Sequence, residues 1–149
     1  MFHSIRSFSI ANVVAVGLAL SSLPAVHAKE KSIAGTWTLT VEQRFGLKLE
    51  LAQKNETVTG TLDWPHGDPV KLTGTFRGGS LKLAGDSTGE NFGIHVDSTG
   101  SLKADGTMTG MIKAHIVDYN DAHEVARTHD QEIPWTAMRG LHGVVHFPR

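Results

Sequence analysis

Histidine is the residue type with the most chemical reach in this chain. The 149 residues contain nine histidines and no cysteine, and all but His3 and His27 lie after residue 28: His66, His95, His115, His123, His129, His142 and His146. Imidazole is the usual metal ligand and the usual acid–base group near neutral pH. Three of these histidines bracket a polar stretch that also carries Asp118, Asp121, Glu124 and Asp130. Two histidines with a carboxylate would suit zinc, copper or iron, which makes His115, His123 and His129 the candidate metal ligands. The same stretch offers His115, His123 and Asp118 as candidate catalytic acid–base groups. The spacing matches no compact metal motif, and exposed loop histidines with no ligand are the plain competing reading. Gly-x-Ser-x-Gly, His-Glu-x-x-His and a Gly-rich phosphate loop are all absent, so no cofactor is predicted by motif.

These side chains must be positioned by strands. Apolar and polar residues alternate with a period of two through most of the chain after residue 34, the pattern of a half-buried strand. Trp37, Leu39 and Val41 alternate with threonines; Leu47, Leu49 and Leu51 with Lys48 and Glu50; Phe92, Ile94 and Val96 with Gly93, His95 and Asp97. Further strands are predicted over 58–62, 70–76, 81–83, 108–116 and 133–139. Turn signals stand between them at 54–56, 65–68, 78–79, 98–100 and 104–106. Short, evenly spaced strands with tight turns predict an all-β, antiparallel up-and-down meander, and eight strands with one wet face close economically into a β-barrel. A weak repeat of the form apolar-Thr-Gly-x-apolar recurs at 58–62, 72–76 and 108–112. Glycine on the inward parity of a strand marks a bend or a close backbone approach.

The inward set predicts a ligand-binding interior of Leu62, Phe76, Phe92, Ile94, Met108, Ile112 and Trp135. On the same parity His95 and His115 point outward, where they can meet as a cross-strand pair; a reversed parity would put both inside the barrel. The segment at about 118–130 breaks the alternation and reads as a long polar loop, with room for a helical turn over 122–127. Long loops in compact barrels are more often functional than decorative.

The first 28 residues read differently. Arg6 is their one firm charge, residues 10–20 are almost wholly apolar, and Val26-His27-Ala28 precedes the charged run Lys29-Glu30-Lys31. This is the layout of a cleaved secretory signal peptide over 1–28, leaving one β-barrel domain over 29–149. The localisation expected is periplasmic or secreted, with no stable membrane insertion after cleavage. Loss of Arg6 moves the formal net charge from −1 to −2. That is no footprint for nucleic acid, which asks for a basic face. The tail segment Val144-Val145-His146-Phe147 is apolar enough to pack on its own barrel or to join a homo-oligomer.

Gly35-Thr36-Trp37 at the start of the first strand and Trp135-Thr136-Ala137-Met138-Arg139 in the last resemble the calycin superfamily of lipocalins, fatty-acid-binding proteins, avidins and their bacterial relatives. The resemblance implies that Arg139 packs across Trp37 and shuts one end of the barrel. Val58-Thr59-Gly60-Thr61, Asn91-Phe92-Gly93-Ile94 and Met108-Thr109-Gly110 are similar to avidin strings in strand order. The aromatic walls of the biotin pocket do not carry over: Leu62 stands where a tyrosine would be, Trp64 lies in a turn, and only Trp135 remains. Short exported lipocalin-like domains ending in Trp-x-Ala-x-Arg are the nearer likeness. The function expected is a barrel binding a small, largely apolar ligand. The alternative is a small barrel enzyme (a lyase, isomerase or hydrolase) using loop His and Asp as acid–base groups or metal ligands.

Overall fold

Alternation becomes architecture in eight antiparallel strands: β1 (Gly35–Val41), β2 (Phe45–Lys54), β3 (Thr57–Leu62), β4 (Val70–Arg77), β5 (Ser80–Thr88), β6 (Phe92–Leu102), β7 (Met108–Tyr119) and β8 (Val125–Arg139). In the computed structural model, which describes residues 31–42, 45–65 and 67–144, each strand pairs with the next in sequence. β8 returns to β1, closing an up-and-down barrel. The proposed signal segment 1–28, His66 and His146 lie outside the described residues.

The apolar parity faces inward throughout. Trp37, Leu49, Val58, Leu62, Phe76, Leu81, Val96, Met108 and Ile112 are almost completely buried and form one core down the barrel axis. One end is closed as the resemblance implies. Trp37 is fully buried, donates its indole N–H to the Ile33 carbonyl at 2.9 Å, and carries the Arg139 guanidinium 4.5 Å above its ring. The same guanidinium donates to the carbonyls of Ala34 (3.0 Å) and Ser32. A delocalised, weakly hydrated cation stacks on an indole while its fork satisfies backbone oxygens.

Ser98-Thr99-Gly100 reads as a turn in sequence, yet it is the far half of β6. Trp135 explains the difference. Gly100 pairs with Gly110, and Gly110 with Trp135. A Cβ on Gly100 would lie 2.6 Å from Trp135 Cη2; one on Gly110 would lie 1.9 Å from the Thr99 carbonyl oxygen and 2.6 Å from Trp135 Cζ2. The glycines are floor space for the indole. Gly110→Ala is therefore expected to destabilise the fold by about 1–3 kcal/mol through overpacking, read as a lower urea midpoint at unchanged slope.

The predicted loop at about 118–130 is instead a hairpin. β7 runs to Tyr119, β8 starts at Val125, and Asn120 makes the turn compact by accepting the backbone N–H groups of Ala122 (3.0 Å) and Glu124 (2.9 Å) on its Oδ1. There is no helical turn. β1 meets β8 only over Trp37–Val41 against Arg139–Trp135. Among the described residues, 125–134 therefore pair with β7 alone. Charged side chains and Pro134 on that open edge discourage adventitious strand pairing.

After Arg139 the chain folds back over β1. Gly140 N–H donates to the Thr36 carbonyl (2.9 Å), Thr38 donates its hydroxyl to Gly140 O (2.6 Å), and His142 N–H donates to Thr38 Oγ1 (2.8 Å). Thr38 lies on the outward parity and is nonetheless buried because this segment covers it. Val144 then bridges Gly46 in parallel.

Candidate functional site

The barrel end opposite Arg139 is open. The connections β1–β2, β3–β4, β5–β6 and β7–β8 surround it, and a cavity of about 550 Å³ descends between them. Its walls are Val41, Leu47, Phe92, Ile94, Ile116 and Ile133; Trp64 and Pro65 reach over it from the β3–β4 connection. Asn91, Asp118, His129, Gln131 and Glu42 supply the polar rim. The volume falls in the range of small-molecule sites, as does the pattern of apolar walls with few polar groups.

Deeper down, the barrel is filled. A void of about 10 Å³ lies there among Leu39, Leu62, Ser98, Ile112 and Trp135, about the space of one water. The predicted ligand-binding set thus divides by depth. Phe92 and Ile94 line the cavity, whereas Leu62, Phe76, Met108, Ile112 and Trp135 are packed into the core. Large side chains meeting over inward glycines consume the lower half of the interior.

The rim is set by the projecting part of the β7–β8 hairpin. Asp118 continues the inward parity of Ile112, Ala114 and Ile116; His129 and Gln131 continue that of Trp135 and Ile133. Arg127 donates its Nε to Asp118 Oδ2 at 3.1 Å, and its Nη2 lies 3.1 Å from the same oxygen. His129 Nδ1 is 3.8 Å from Asp118 Oδ2 and buried with no hydrogen-bond partner. A buried polar nitrogen without a partner is uncommon and marks a place where a bound molecule could complete the bonding.

The sequence-predicted metal and catalytic sets do not converge. His115 lies on the outer face, 2.6 Å from Asp130 Oδ1. His123 sits exposed in the tight turn at φ 57°. His129 faces the cavity. Strand alternation separates them: β7 sends His115 outward and Asp118 inward, an odd number of residues apart. Among the described residues no group of three or more His, Asp or Glu side chains is gathered to hold a metal. Asp118 alone of the catalytic set reaches the cavity. Sequence reasoning passed over Val41, Leu47, Ile116, Ile133, His129 and Gln131 as cavity residues; extending the parity of β8 beyond its apolar stretch would have found the last two.

His95 and His115 do face outward as a cross-strand pair. The hydrogen bond that His95 donates to Asp86 holds the imidazole above its ordinary value of 6.5, with the Asp86 and Asp97 charges adding to it against partial desolvation. The folded state thus favours protonated His95. The resulting stabilisation is complete below about pH 6.5 and fades as pH rises through the raised folded value. It is small because the side chain is 47% exposed and screened. An NMR titration should place His95 above 6.5, and Asp86→Asn should bring it down.

No protein-family model matches the sequence, and neither does any curated protein. Among solved structures, the barrel is similar to those of avidins. Apo short afifavidin matches at 12% identity over 72% of this chain and 96% of that one, with a TM-score of 0.49. The rhizavidin–biotin complex matches at 12% identity over 77% and 99%, with a TM-score of 0.47. Apo shwanavidin matches at 10% identity over 72% and 98%, with a TM-score of 0.44. The likeness is one of barrel architecture.

Proposed function

We propose that this protein is an exported barrel that binds a small, largely apolar molecule at its open end, as a periplasmic or secreted binding module. The cavity of about 550 Å³ carries the reading: its walls are aliphatic and aromatic, and its polar groups are confined to the rim. A ligand seated there would bury an apolar body against Ile94, Ile116 and Ile133 and leave its polar end near His129 and Gln131. The uncharged stretch over 7–28 supports export.

The test is native mass spectrometry of untagged protein from an exporting host, followed by titration with a naphthalene-sulfonate dye. Extra mass released on denaturation, or saturable dye binding that the released molecule displaces, is the expected result. A chain with no retained mass and no saturable dye binding would remove the reading. The same spectra show the chain starting at residue 29 if the signal segment is cleaved, and report any homo-oligomer.

A second reading rests on one observation, the Asp118–His129 pair in the cavity wall. A carboxylate beside an imidazole in a pocket is an acid–base arrangement suited to a lyase, isomerase or hydrolase. His129→Gln separates the two: a binder keeps its ligand with modest loss, whereas an enzyme loses turnover while still binding.

A further inference from the structure

The outer face of β5–β8 carries a straight row of titratable side chains, remote from the cavity by strand alternation. The register places Asp86 opposite His95, His95 opposite His115, and His115 opposite Asp130. Directly opposed residues on one face have Cβ atoms about 4.5–5.5 Å apart, so the two imidazoles are immediate neighbours. Each is held from its far side. His95 Nδ1 lies 2.7 Å from Asp86 Oδ1 on β5, and His115 Nδ1 lies 2.6 Å from Asp130 Oδ1 on β8. A carboxylate only accepts, so each Nδ1 carries a proton and donates it. That leaves Nε2 of each ring as the atom not held by its outer carboxylate. An outer carboxylate that holds the far nitrogen is the usual support of a metal-bound histidine.

A third group points the same way. His95 Nε2 is 3.4 Å from Asp97 Oδ2. With Nδ1 already donating, the second ring proton of the charged imidazole fills this gap, and in the neutral ring a metal ion can take that proton's place. Two donors of a tetrahedral ion bound at 2.0–2.1 Å are separated by about 3.3–3.4 Å, the spacing found here.

We propose that His95 Nε2, His115 Nε2 and Asp97 Oδ2 form a surface site for one divalent ion of the zinc class, with Asp86 and Asp130 as its supporting carboxylates and water completing the coordination. Imidazole and carboxylate donors suit zinc and copper over calcium or magnesium. Asp86, Asp97, Asp130 and Glu132 surround the pair, against the ammonium groups of Lys71 and Lys113. Glu132 draws Lys113 aside at 3.6 Å. The donors are not preassembled; the site closes by adjustment of the His115 ring, whose side chain is 52% exposed, about its hydrogen bond to Asp130. This set shares only His115 with the loop histidines singled out by sequence.

The test is calorimetric titration of the untagged full chain with Zn²⁺, with histidine side-chain NMR as a second readout. One Zn²⁺ per chain is expected, shifting the His95 and His115 resonances. His95→Ala and His115→Ala should each weaken binding at least tenfold, and Asp86→Asn about 10–100-fold, the usual cost of losing an outer carboxylate. A His123→Ala/His129→Ala double variant should bind as the parent does. All these side chains are solvent-facing or at the rim, and circular dichroism checks that each variant folds. Binding unchanged in a His95→Ala/His115→Ala double variant would overturn the proposal. So would no binding by the parent at about 100 μM Zn²⁺, or loss confined to the His123/His129 variant.

Discussion

Trp37→Ala is expected to lower the unfolding free energy by about 3–5 kcal/mol, the range for truncating a buried large aromatic. Three losses coincide at this position. The indole is fully buried at the closed end. Its N–H satisfies the carbonyl of the buried Ile33, and an unpaired buried acceptor costs free energy of its own. Its face carries Arg139, whose fork ties down the carbonyls of Ser32 and Ala34. Removing the ring leaves the guanidinium without its platform and loosens residues 31–34. Trp37→Phe keeps most of the apolar volume and forfeits the hydrogen bond, so it should cost clearly less. Urea unfolding with both variants checks this ordering. A loss below about 1 kcal/mol in Trp37→Ala would show that the closed end does not depend on its indole. Domains of this size have about 5–15 kcal/mol in all, so the alanine variant should stand near the limit of folding.

Ile116→Trp is expected to abolish dye or ligand binding, with affinity falling by about a hundredfold, some 2.7 kcal/mol. Ile116 lies on the cavity wall and is only partly buried, so an indole there grows into open space. Stability should change by no more than about 1.5 kcal/mol, as for a hydrophobic replacement that forces little repacking. Met108, fully buried in the filled half, provides the contrast: Met108→Leu should leave binding intact. If Ile116→Trp binds as the parent does, the ligand is not in the open end of the barrel.

Strands with one apolar face were legible because their alternation is a direct image of inside and outside. The stretch 125–132 was not, and the reason is local. Its inward positions are Arg127, His129 and Gln131, so both faces of the strand are polar where it projects past the core. Pairing with β7 makes it a strand, and pairing partners leave no mark on hydrophobic periodicity. The compact turn was readable in principle from Asn120-Asp121, residues that bond their own backbone. Depth along the barrel axis was a different matter. Phe92 and Met108 share the inward parity, yet only the first meets the cavity, since Trp135 over Gly100 and Gly110 fills the lower interior. Volume in three dimensions decides that, and parity does not encode it. The outward pairing of His95 with His115 followed from parity alone, whereas their carboxylate anchors needed the register.

The ring is held by unequal joints. Seven of its pairings join strands consecutive in sequence, which a chain can form as local hairpins within microseconds. The joint between β1 and β8 unites residues about a hundred positions apart, and its closure entropy must be met before any contact there rewards it. It also has the shortest register, Trp37–Val41 against Arg139–Trp135. The meander should therefore assemble first and snap shut last at this seam, with Arg139 stacking on Trp37 as the latch. The same seam should let solvent deuterium in earliest when the native barrel breathes.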